Sequence, residues 1–258
     1  MVNRTATQLV IWDWNGTLLD DAVLCCDIAN TMREERGMPP LGGVDAYRRV
    51  FRFPIIAYYR AMGYTFETES YDDISVEFHW RYSELVPACP LYPEAKRALS
   101  AVQALGVPQL LLSVTEQSRL SWQAELAGVT GYFTSILGQK DDLAYGKADM
   151  ARQVIAESGL DGRAVLFVGD TNHDAEIAAD IGCRCALLTK GHQTRETLAA
   201  CGVPLIESLL DVLPLLGEET DGADCDFAGD GEDAANRRAR TRGILARVAP
   251  VVLHAGVR

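Results

Sequence analysis

Five polar residues stand where an apolar run ends or a helix is predicted to begin, and their types suit chemistry on phosphate. Asp13 opens the segment DWNGTLLD, and Ser113 closes the hydrophobic run LLLS. Lys147 stands in AYGKADM. Asp170 and Asp174 stand in FVGDTNHDAEIA, about one helical turn apart. Such a set can attack, hold and neutralise a phosphoryl group.

These residue types allow nucleophilic attack on phosphorus with the help of a metal ion. An aspartate at a strand tip can attack phosphorus if its charge is screened and its target is held in line. A hard divalent cation can screen the carboxylate charge and hold the phosphoryl group in line. Mg²⁺ is such a cation, and it takes oxygen ligands from a few carboxylates while it keeps several waters. Asp174 could hold a metal-bound water. Lys147 would neutralise phosphate and nucleophile together, and Ser113 would donate a hydrogen bond to a phosphoryl oxygen.

Each of these side chains also has an ordinary structural interpretation. Loops that lead from a strand to a helix favour Asp and Ser as helix caps, so a polar residue at a strand end need not be reactive. Asp174 could be an acid in the first turn of a helix, and Lys147 a solvated lysine at a helix start. Lys140 is a rival for the role of Lys147. Thr115 is a rival for the role of Ser113.

The histidines and cysteines do not form a second reactive set. His173 stands between the two acids of its segment and is expected at the site rim or in solvent, and no pattern supports a role for His192. The seven cysteines are odd in number and scattered, which is not typical of a disulfide framework. Cys183 and Cys185 could bind a metal, but they have no second pair or histidine companion, so free thiols are expected.

Strands and helices alternate regularly through the middle of the chain. Five apolar runs are predicted as strands: QLVIWD, PQLLLS, YFTSILG, AVLFVGD and RCALLT. Helical segments separate the last four, and further helical stretches follow Thr194 and Ser208. This order predicts an α/β fold, a Rossmann-like parallel sheet with helices on both faces. Ligands of such sheets bind outside the carboxyl ends of the strands, where Asp13, Ser113 and Asp170 stand.

Two other regions differ from this regular part in amino-acid composition and in hydrophobic periodicity. Residues 20–90 are rich in aromatic and charged residues at helical spacing, as in IAYYRAMG and SVEFHWRYSEL, and predict several short helices without a strand. Residues 217–258 are rich in Gly, Ala, Asp and Arg and poor in apolar periodicity, so we expect a disordered tail. We therefore expect a core of residues 1–19 and 91–216 with a helical insertion of residues 20–90.

The segment DWNGTLLD resembles the D-x-D-G-T-L-x-D signature of haloacid-dehalogenase-type hydrolases. Ser113, Lys147 and the G-D-x-x-x-D segment with Asp170 and Asp174 follow in the family's order, so the resemblance runs from the first predicted strand to the last. It implies that the strands ending at Asp13 and Asp170 lie side by side. Both carboxylates could then reach one Mg²⁺ ion.

The resemblance implies a role for each matching residue, in a phosphatase that forms an aspartyl-phosphate on its nucleophile Asp13. The catalytic residues would be Asp13, Asn15, Ser113 and Lys147. The metal ligands would be Asp13, Asn15, Asp170 and Asp174, with Asn15 contributing its backbone carbonyl. The substrate-binding residues would be Gly16, Thr17, Ser113 and Lys147. Gly16 lets the loop bend so that the Asn15 carbonyl can face the metal.

In this family, an insertion between the first two motifs is a helical cap that closes over the site and excludes water. The residue pattern of FRFPIIAYYRAMGYTFE is most similar to that of caps in the phosphoglycolate-phosphatase branch. Arg52, Tyr58 and Arg60 could contact substrate or could be ordinary cap packing and surface. A phosphonate-cleaving relative would need a cap lysine, and residues 20–90 contain none. The resemblance thus implies small phosphomonoesters without naming one.

Asn15 departs from the family signature, which has a second Asp there as general acid and base. An amide keeps the size and hydrogen bonding of the carboxylate but does not titrate. Loss of general acid–base catalysis typically costs about 10²–10⁴-fold in rate. Three possibilities stay open: a phosphatase with good leaving groups or a substitute base, an enzyme of other chemistry, or a phosphate-binding or regulatory protein with little turnover. If the site is otherwise complete, Asn15→Asp should raise turnover.

Composition narrows the possible partners. The 258 residues have a net charge of −12 and a sequence pI of about 4.8, whereas nucleic acids and anionic membranes attract basic surfaces. No apolar run approaches the roughly 18–20 residues of a membrane span, and the start of the sequence lacks the apolar core of a signal peptide. We expect a cytoplasmic protein that acts on a small phosphorylated metabolite, with no nucleic-acid or membrane partner. The sequence does not fix its oligomeric state.

Overall fold

A six-stranded parallel sheet forms the centre of the protein in the computed structural model, which describes residues 6–139 and 146–217. The strands are β1 (Leu9–Trp12), β2 (Gln109–Glu116), β3 (Ser135–Gln139), β4 (Val165–Gly169), β5 (Arg184–Leu188) and β6 (Leu205–Ile206). Their order across the sheet is β3-β2-β1-β4-β5-β6, and every neighbouring pair is parallel. The predicted α/β class with a parallel sheet is confirmed.

β1 lies in the interior of the sheet, and its position explains its uniformly apolar sequence. All four of its residues are buried, because helices cover both faces of a parallel sheet. Val10 and Trp12 belong to the hydrophobic core on one face. Leu9 and Ile11 belong to the core on the other face. Successive side chains of a strand point to opposite faces, so both positions of the repeat must be apolar here.

Two strands differ from the sequence-based prediction. β2 continues past Ser113 to Glu116, with an irregular register toward β3 between Leu112 and Glu116. Ser113 therefore does not end the strand. The sequence did not predict the extension of β2 past Ser113, because a buried strand is predicted from an apolar run and polar residues follow here. β6 was not predicted, since its two residues are too few for a periodic pattern.

Four helices form an insertion between β1 and β2: α1 (Ala22–Glu35), α2 (Val44–Val50), α3 (Ile55–Ala61) and α4 (Tyr71–Leu85). They share a hydrophobic core of their own, in which Met32, Tyr47 and Ile74 are buried. Ser70 caps α4 through a capping box with Asp73. The region is helical, as predicted.

Two adjacent chain segments join the insertion to the sheet. Leu19 pairs with Leu91 as an isolated antiparallel bridge. The N–H of Asp20 donates to the carbonyl of Pro90 over 2.9 Å. The chain therefore leaves the core and returns to it at one place.

Helices lie on both faces of the sheet, as predicted. The face of Trp12 is covered by α5 (Ala95–Ala104), α6 (Gln117–Leu126) and the 3₁₀ helix Leu209–Leu215. The face of Ile11 is covered by α7 (Lys147–Ser158), α8 (Asn172–Asp180) and α9 (Arg195–Ala199). The helical stretches predicted after Thr194 and Ser208 are α9 and the 3₁₀ helix, and these two residues cap them.

The six cysteines among the described residues are free thiols, as expected. Cys225, the rival lysine Lys140 and the predicted tail from residue 218 onward lie outside the described residues. In the part of the chain that the structure describes, no helix has the length and apolar character needed to cross a membrane.

Candidate active site

Asp13 and Asp170 follow neighbouring strands of the sheet. Trp12 of β1 pairs with Val168 of β4, and the N–H of Asp13 donates to the Val168 carbonyl over 2.9 Å. Because parallel strands end at the same edge, the two carboxylates lie side by side where such sheets bind ligands. Asp13 is 6% exposed and Asp170 is 1% exposed. Both carboxylates are therefore largely removed from water.

Asp174 and Lys147 complete a buried cluster at this edge. One oxygen from each of Asp13, Asp170 and Asp174 lies within 4.8 Å of the others. The buried ammonium of Lys147 donates to Asp13 and, over 2.6 Å, to Oδ1 of Asp174. Two of the three carboxylates thus contact one ammonium. Carboxylate oxygens are the ligands that hard divalent cations prefer, so the cluster could bind such an ion.

Burial shifts the pKa values of these carboxylates. It raises the pKa of Asp13 to about 6 and the pKa of Asp170 to about 8. Burial would also raise the pKa of Asp174, but the charge of Lys147 brings that pKa below its usual value. The raised pKa values show that the charged forms of Asp13 and Asp170 are disfavoured here. A bound cation would offset this effect.

Asp174 uses its two oxygens for different contacts. Its Oδ2 accepts hydrogen bonds from the Thr171 hydroxyl at 2.7 Å and from the N–H groups of Thr171 and Asp170 at 3.1 and 3.2 Å. The N–H of Asp174 donates to the Thr171 hydroxyl, and together with the bond from the Thr171 N–H this forms the capping box at the start of α8. Its Oδ1 accepts from Lys147. The interpretation of Asp174 as a helix acid is therefore compatible with its place in the cluster.

The loop after Asp13 brings Gly16 and Thr17 against the carboxylates. Oγ1 of Thr17 lies 3.0 Å from Oδ2 of Asp13 and 3.2 Å from Oδ1 of Asp170. Gly16 has a φ of 71°, and a Cβ at this position would collide with the Asp170 carboxylate and the His192 ring. Glycine is therefore required by both the backbone conformation and the available space.

Ser113 and its rival Thr115 reach the same atom. Their hydroxyls donate to Oδ1 of Asn15, over 3.4 Å from Ser113 and 3.0 Å from Thr115. Ser113 is fully buried, and the N–H of Thr115 donates to its Oγ over 3.1 Å. Both candidate hydroxyls therefore lie beside the Asn15 amide.

A second buried cluster contains residues for which the sequence supported no role. The Asp21 carboxylate accepts from the N–H of Gly16 and from the Tyr82 hydroxyl, both over 2.7 Å. The ring nitrogen Nε2 of His192 lies 3.2 Å from the same carboxylate. The backbone N–H of His192 donates to the Asp170 carboxylate over 2.7 Å. Burial would lower the pKa of His192, but the charge of Asp21 raises it to about 9. Tyr82 and His192 are far from Asp21 in the sequence, so no local motif marks their contacts with it.

Helix α2 of the insertion closes over this second cluster. The Tyr47 hydroxyl lies 2.8 Å from Nδ1 of His192. The guanidinium of Arg48 donates to the carbonyl of Gly191 over 2.8 Å and to the carbonyl of Lys190. Direct hydrogen bonds therefore connect the insertion to the loop that follows β5.

The other residues proposed from the sequence lie outside the two buried clusters. The side chain of His173 is 33% exposed, and its ring packs on Phe53 with 4.6 Å between ring centroids. His173 is thus at the rim, as expected. Tyr58 is buried in the insertion's own core, and Arg52 and Arg60 are exposed. The packing and surface interpretation therefore fits these three insertion residues.

Comparison with known proteins decides the family. Residues 7–182, more than half of the chain, match the haloacid dehalogenase-like hydrolases. The chain belongs to the haloacid dehalogenase-like (HAD) hydrolase family. The resemblance seen in the sequence motifs is thereby confirmed.

Similar proteins match this HAD chain over most of its length at low identity. It is 25% identical over 224 residues to a phosphoglycolate phosphatase of Yersinia pestis, with 84% of this chain and 96% of that protein covered. It is 26% identical over 215 residues to phosphoglycolate phosphatase 1 of Pseudomonas aeruginosa, with coverages of 80% and 79%. The relatives thus include the branch that the insertion sequence resembles.

Solved structures share the fold of this HAD chain. One, described as a predicted phosphoglycolate phosphatase from Haemophilus somnus, has a TM-score of 0.68 at 19% identity, covering 83% of this chain and 99% of that one. A HAD family hydrolase from Deinococcus radiodurans, with bound phosphate and sodium, has a TM-score of 0.63 at 18% identity, with coverages of 82% and 95%. At these identities the similarity shows the α/β fold with its inserted helices.

Proposed function

We propose that this HAD protein hydrolyses small phosphomonoesters, with Mg²⁺ as cofactor and Asp13 as nucleophile. The observation that carries the proposal is the buried cluster of three carboxylates, within 4.8 Å of one another, and one lysine. It lies at the edge of the sheet where ligands bind. The relatives named phosphoglycolate phosphatase support a small phosphorylated metabolite as the substrate.

The donor set suits a magnesium ion. Asp13 and Asp170 would hold it directly, together with the backbone carbonyl of Asn15, and Asp174 would act through a bound water. When bound, the ion would screen the negative charge of nucleophile and phosphate and would polarise the phosphoryl oxygens. Gly16 supports this arrangement, because only a residue without Cβ lets the loop approach Asp170 so closely.

In the first step, a carboxylate oxygen of Asp13 attacks phosphorus, and the leaving oxygen departs with the electron pair of the bond that breaks. Lys147 neutralises charge on Asp13 and on the phosphoryl group, and Ser113 donates a hydrogen bond to a phosphoryl oxygen. Thr17, which contacts the Asp13 carboxylate, keeps that carboxylate in position. In the second step, water attacks the phosphorus of the aspartyl-phosphate and loses a proton, inorganic phosphate is released, and the Asp13 carboxylate is restored.

We also propose that residues 20–90 act as a cap on a core of residues 1–19 and 91–216. The reacting groups Asp13 and Lys147 are buried, and the insertion bonds to the loop after β5 through Tyr47 and Arg48. We therefore expect the insertion to move when a substrate enters. The paired segments at Leu19 and Leu91 provide one attachment about which it can turn. Closure would exclude water while the phosphoryl group is transferred.

The test is steady-state hydrolysis by the full-length protein of p-nitrophenyl phosphate, 2-phosphoglycolate and other small phosphate esters. Turnover should require Mg²⁺, stop when EDTA is added and return with excess Mg²⁺. Undiminished turnover in EDTA would contradict the metal's role. Phosphate binding without turnover of any ester would favour the alternative, a phosphate-binding or regulatory HAD protein, which the presence of Asn15 instead of a second Asp supports.

A further inference from the structure

The side-chain amide of Asn15 is held from both sides. Its Nδ2 donates to Oδ2 of Asp21 over 2.8 Å and to the Tyr82 hydroxyl over 2.7 Å. Its Oδ1 accepts from the hydroxyls of Thr115 and Ser113 over 3.0 and 3.4 Å. These contacts distinguish the nitrogen of the amide from its oxygen, so they fix its orientation.

Asp21 accepts hydrogen bonds at both of its oxygens. Oδ1 accepts from the N–H of Gly16 and lies 3.2 Å from Nε2 of His192, while Oδ2 accepts from the Tyr82 hydroxyl. Because the Tyr82 proton goes to Asp21, the hydroxyl oxygen is left to accept from Asn15. The Asp21 side chain is 1% exposed, so water cannot replace a missing donor without cost.

Position 15 must therefore supply a donor for as long as position 21 is a carboxylate. A carboxylate in place of the Asn15 amide would bring one of its oxygens to hydrogen-bond distance of an Asp21 oxygen with no proton between them. Two like charges at this distance in a buried network repel each other. We propose that Asn15 and Asp21 are a matched pair, in which Asp21 is a positioning residue that turns the Asn15 oxygen toward Ser113 and Thr115. The kinetic part of this proposal rests on the proposed phosphatase function, whereas the pairing itself does not.

The pairing adds a condition to the expectation that Asn15→Asp raises turnover. Alone, this substitution removes the donor that Asp21 and Tyr82 require. Together with Asp21→Asn, it exchanges the two side chains, and the new amide can donate to the new carboxylate. The hydroxyls of Tyr82, Ser113 and Thr115 can all donate to that carboxylate as well. The exchanged pair therefore satisfies the network that the single substitution breaks.

A cycle of four full-length proteins tests the pairing without any substrate. Wild type, Asn15→Asp, Asp21→Asn and the double variant are unfolded thermally in EDTA. Each single variant should lose about 5 °C in thermal midpoint, and the double variant should lie within about 2 °C of wild type. Asp27→Asn, the same change at an exposed position of α1, should shift the midpoint by less than about 2 °C.

Non-additivity of the midpoints is the decisive result. A double variant whose loss equals the sum of the two single losses overturns the pairing. If a single variant does not fold, its rescue by the second substitution supports the pairing. A double variant that also fails to fold overturns it.

Kinetics with p-nitrophenyl phosphate and Mg²⁺ separate positioning from stability alone. Asp21→Asn should lower kcat about tenfold and change KM less than about twofold, because the Asn15 amide loses its fixed orientation. The double variant should recover the wild-type kcat or exceed it, and a double variant no faster than Asp21→Asn overturns the positioning role. Absence of Mg²⁺-dependent turnover in all four proteins would instead overturn the phosphatase function, and the midpoints would still decide the pairing.

Discussion

The carboxylate of Asp13 lies in a buried cluster that has more negative than positive groups. Lys147 donates to Asp13 and to Asp174, while Asp170 adds a third carboxylate beside them. Burial and like charges disfavour this arrangement in the metal-free protein. The fold should therefore tolerate a neutral side chain at position 13, even though the proposed chemistry would not.

Asp13→Asn should abolish turnover and leave the protein folded. An amide cannot replace the carboxylate nucleophile, so kcat should fall at least about 10³-fold. The thermal midpoint without Mg²⁺ should be no lower than that of wild type, because one of three crowded buried carboxyl groups is removed while Lys147 keeps its bond to Asp174. Steady-state kinetics and thermal denaturation check this, with Asp27→Asn as the matched control. Retained turnover in a folded Asp13→Asn protein would mean that another residue is the nucleophile.

Residues within one short segment could be predicted together from the sequence. Gly16 and Thr17 belong to the loop that begins at Asp13, so their place against the carboxylates follows from local chain geometry. The contact between Asp21 and His192 could not be predicted in this way. It joins the start of the insertion to the loop after β5, and a local pattern contains no information about such a distant partner.

At the scale of elements, the sequence predicted most strands and helices, because apolar runs and helical spacing are local signals. It did not predict the order of all six strands, since pairing joins residues that are far apart in the chain. It also missed how far β2 extends and how closely α2 approaches the core. The approach of α2 depends on Arg48, which donates to Asp45 on its own helix and to two backbone carbonyls of the core. Bonds to backbone carbonyls leave no signature in the sequence.

Arg48→Met should weaken closure of the cap. The substitution keeps an apolar stem of similar length but removes the donors to Gly191 and Lys190. If each of the two lost bonds is worth about 0.5–1.5 kcal/mol, kcat/KM should fall roughly five- to 150-fold because the closed state is less populated. The same loss should lower the thermal midpoint by roughly 2–12 °C. Kinetics with p-nitrophenyl phosphate provides the measurement.

The matched control for this change is Arg49→Met, since Arg49 is the exposed neighbour of Arg48 on the same helix. It should leave kcat/KM within about twofold of wild type, as expected for a surface substitution. Equal effects of the two substitutions would show that the Arg48 contacts do not favour closure.

At the scale of the whole molecule, the described residues bring both chain ends of the core together. Leu209, Val212 and Leu216 are buried in the core on the face of Trp12. The N–H of Thr7 donates to the carbonyl of Leu216 over 3.3 Å. Among the described residues, the last helical segment thus packs on the same core as the strand that begins the sheet.

A protein that ends at Leu216 should retain fold and activity. The composition of residues 217–258 is unsuited to burying enough apolar surface to offset the entropy of ordering them. The truncated protein should have a thermal midpoint within about 2 °C of the full-length protein and a kcat within about twofold. Thermal denaturation and steady-state kinetics of the two proteins check this. A large loss of midpoint would show that the final apolar segment stabilises the core.

The hydrogen bonds around Gly16 also bear on how the protein ages. An Asn-Gly sequence deamidates when the glycine nitrogen attacks the asparagine side-chain carbonyl and closes a cyclic imide with loss of ammonia. Here the Gly16 N–H donates to Asp21 over 2.7 Å and to the Leu19 carbonyl over 3.0 Å, while Asp21 also holds the Asn15 amide nitrogen. Neither reacting group is free to rotate into the ring-forming geometry. Deamidation at Asn15 would therefore proceed through states in which this loop has opened. The extent of deamidation in stored protein would then increase with the fraction of time that the loop spends in those open states.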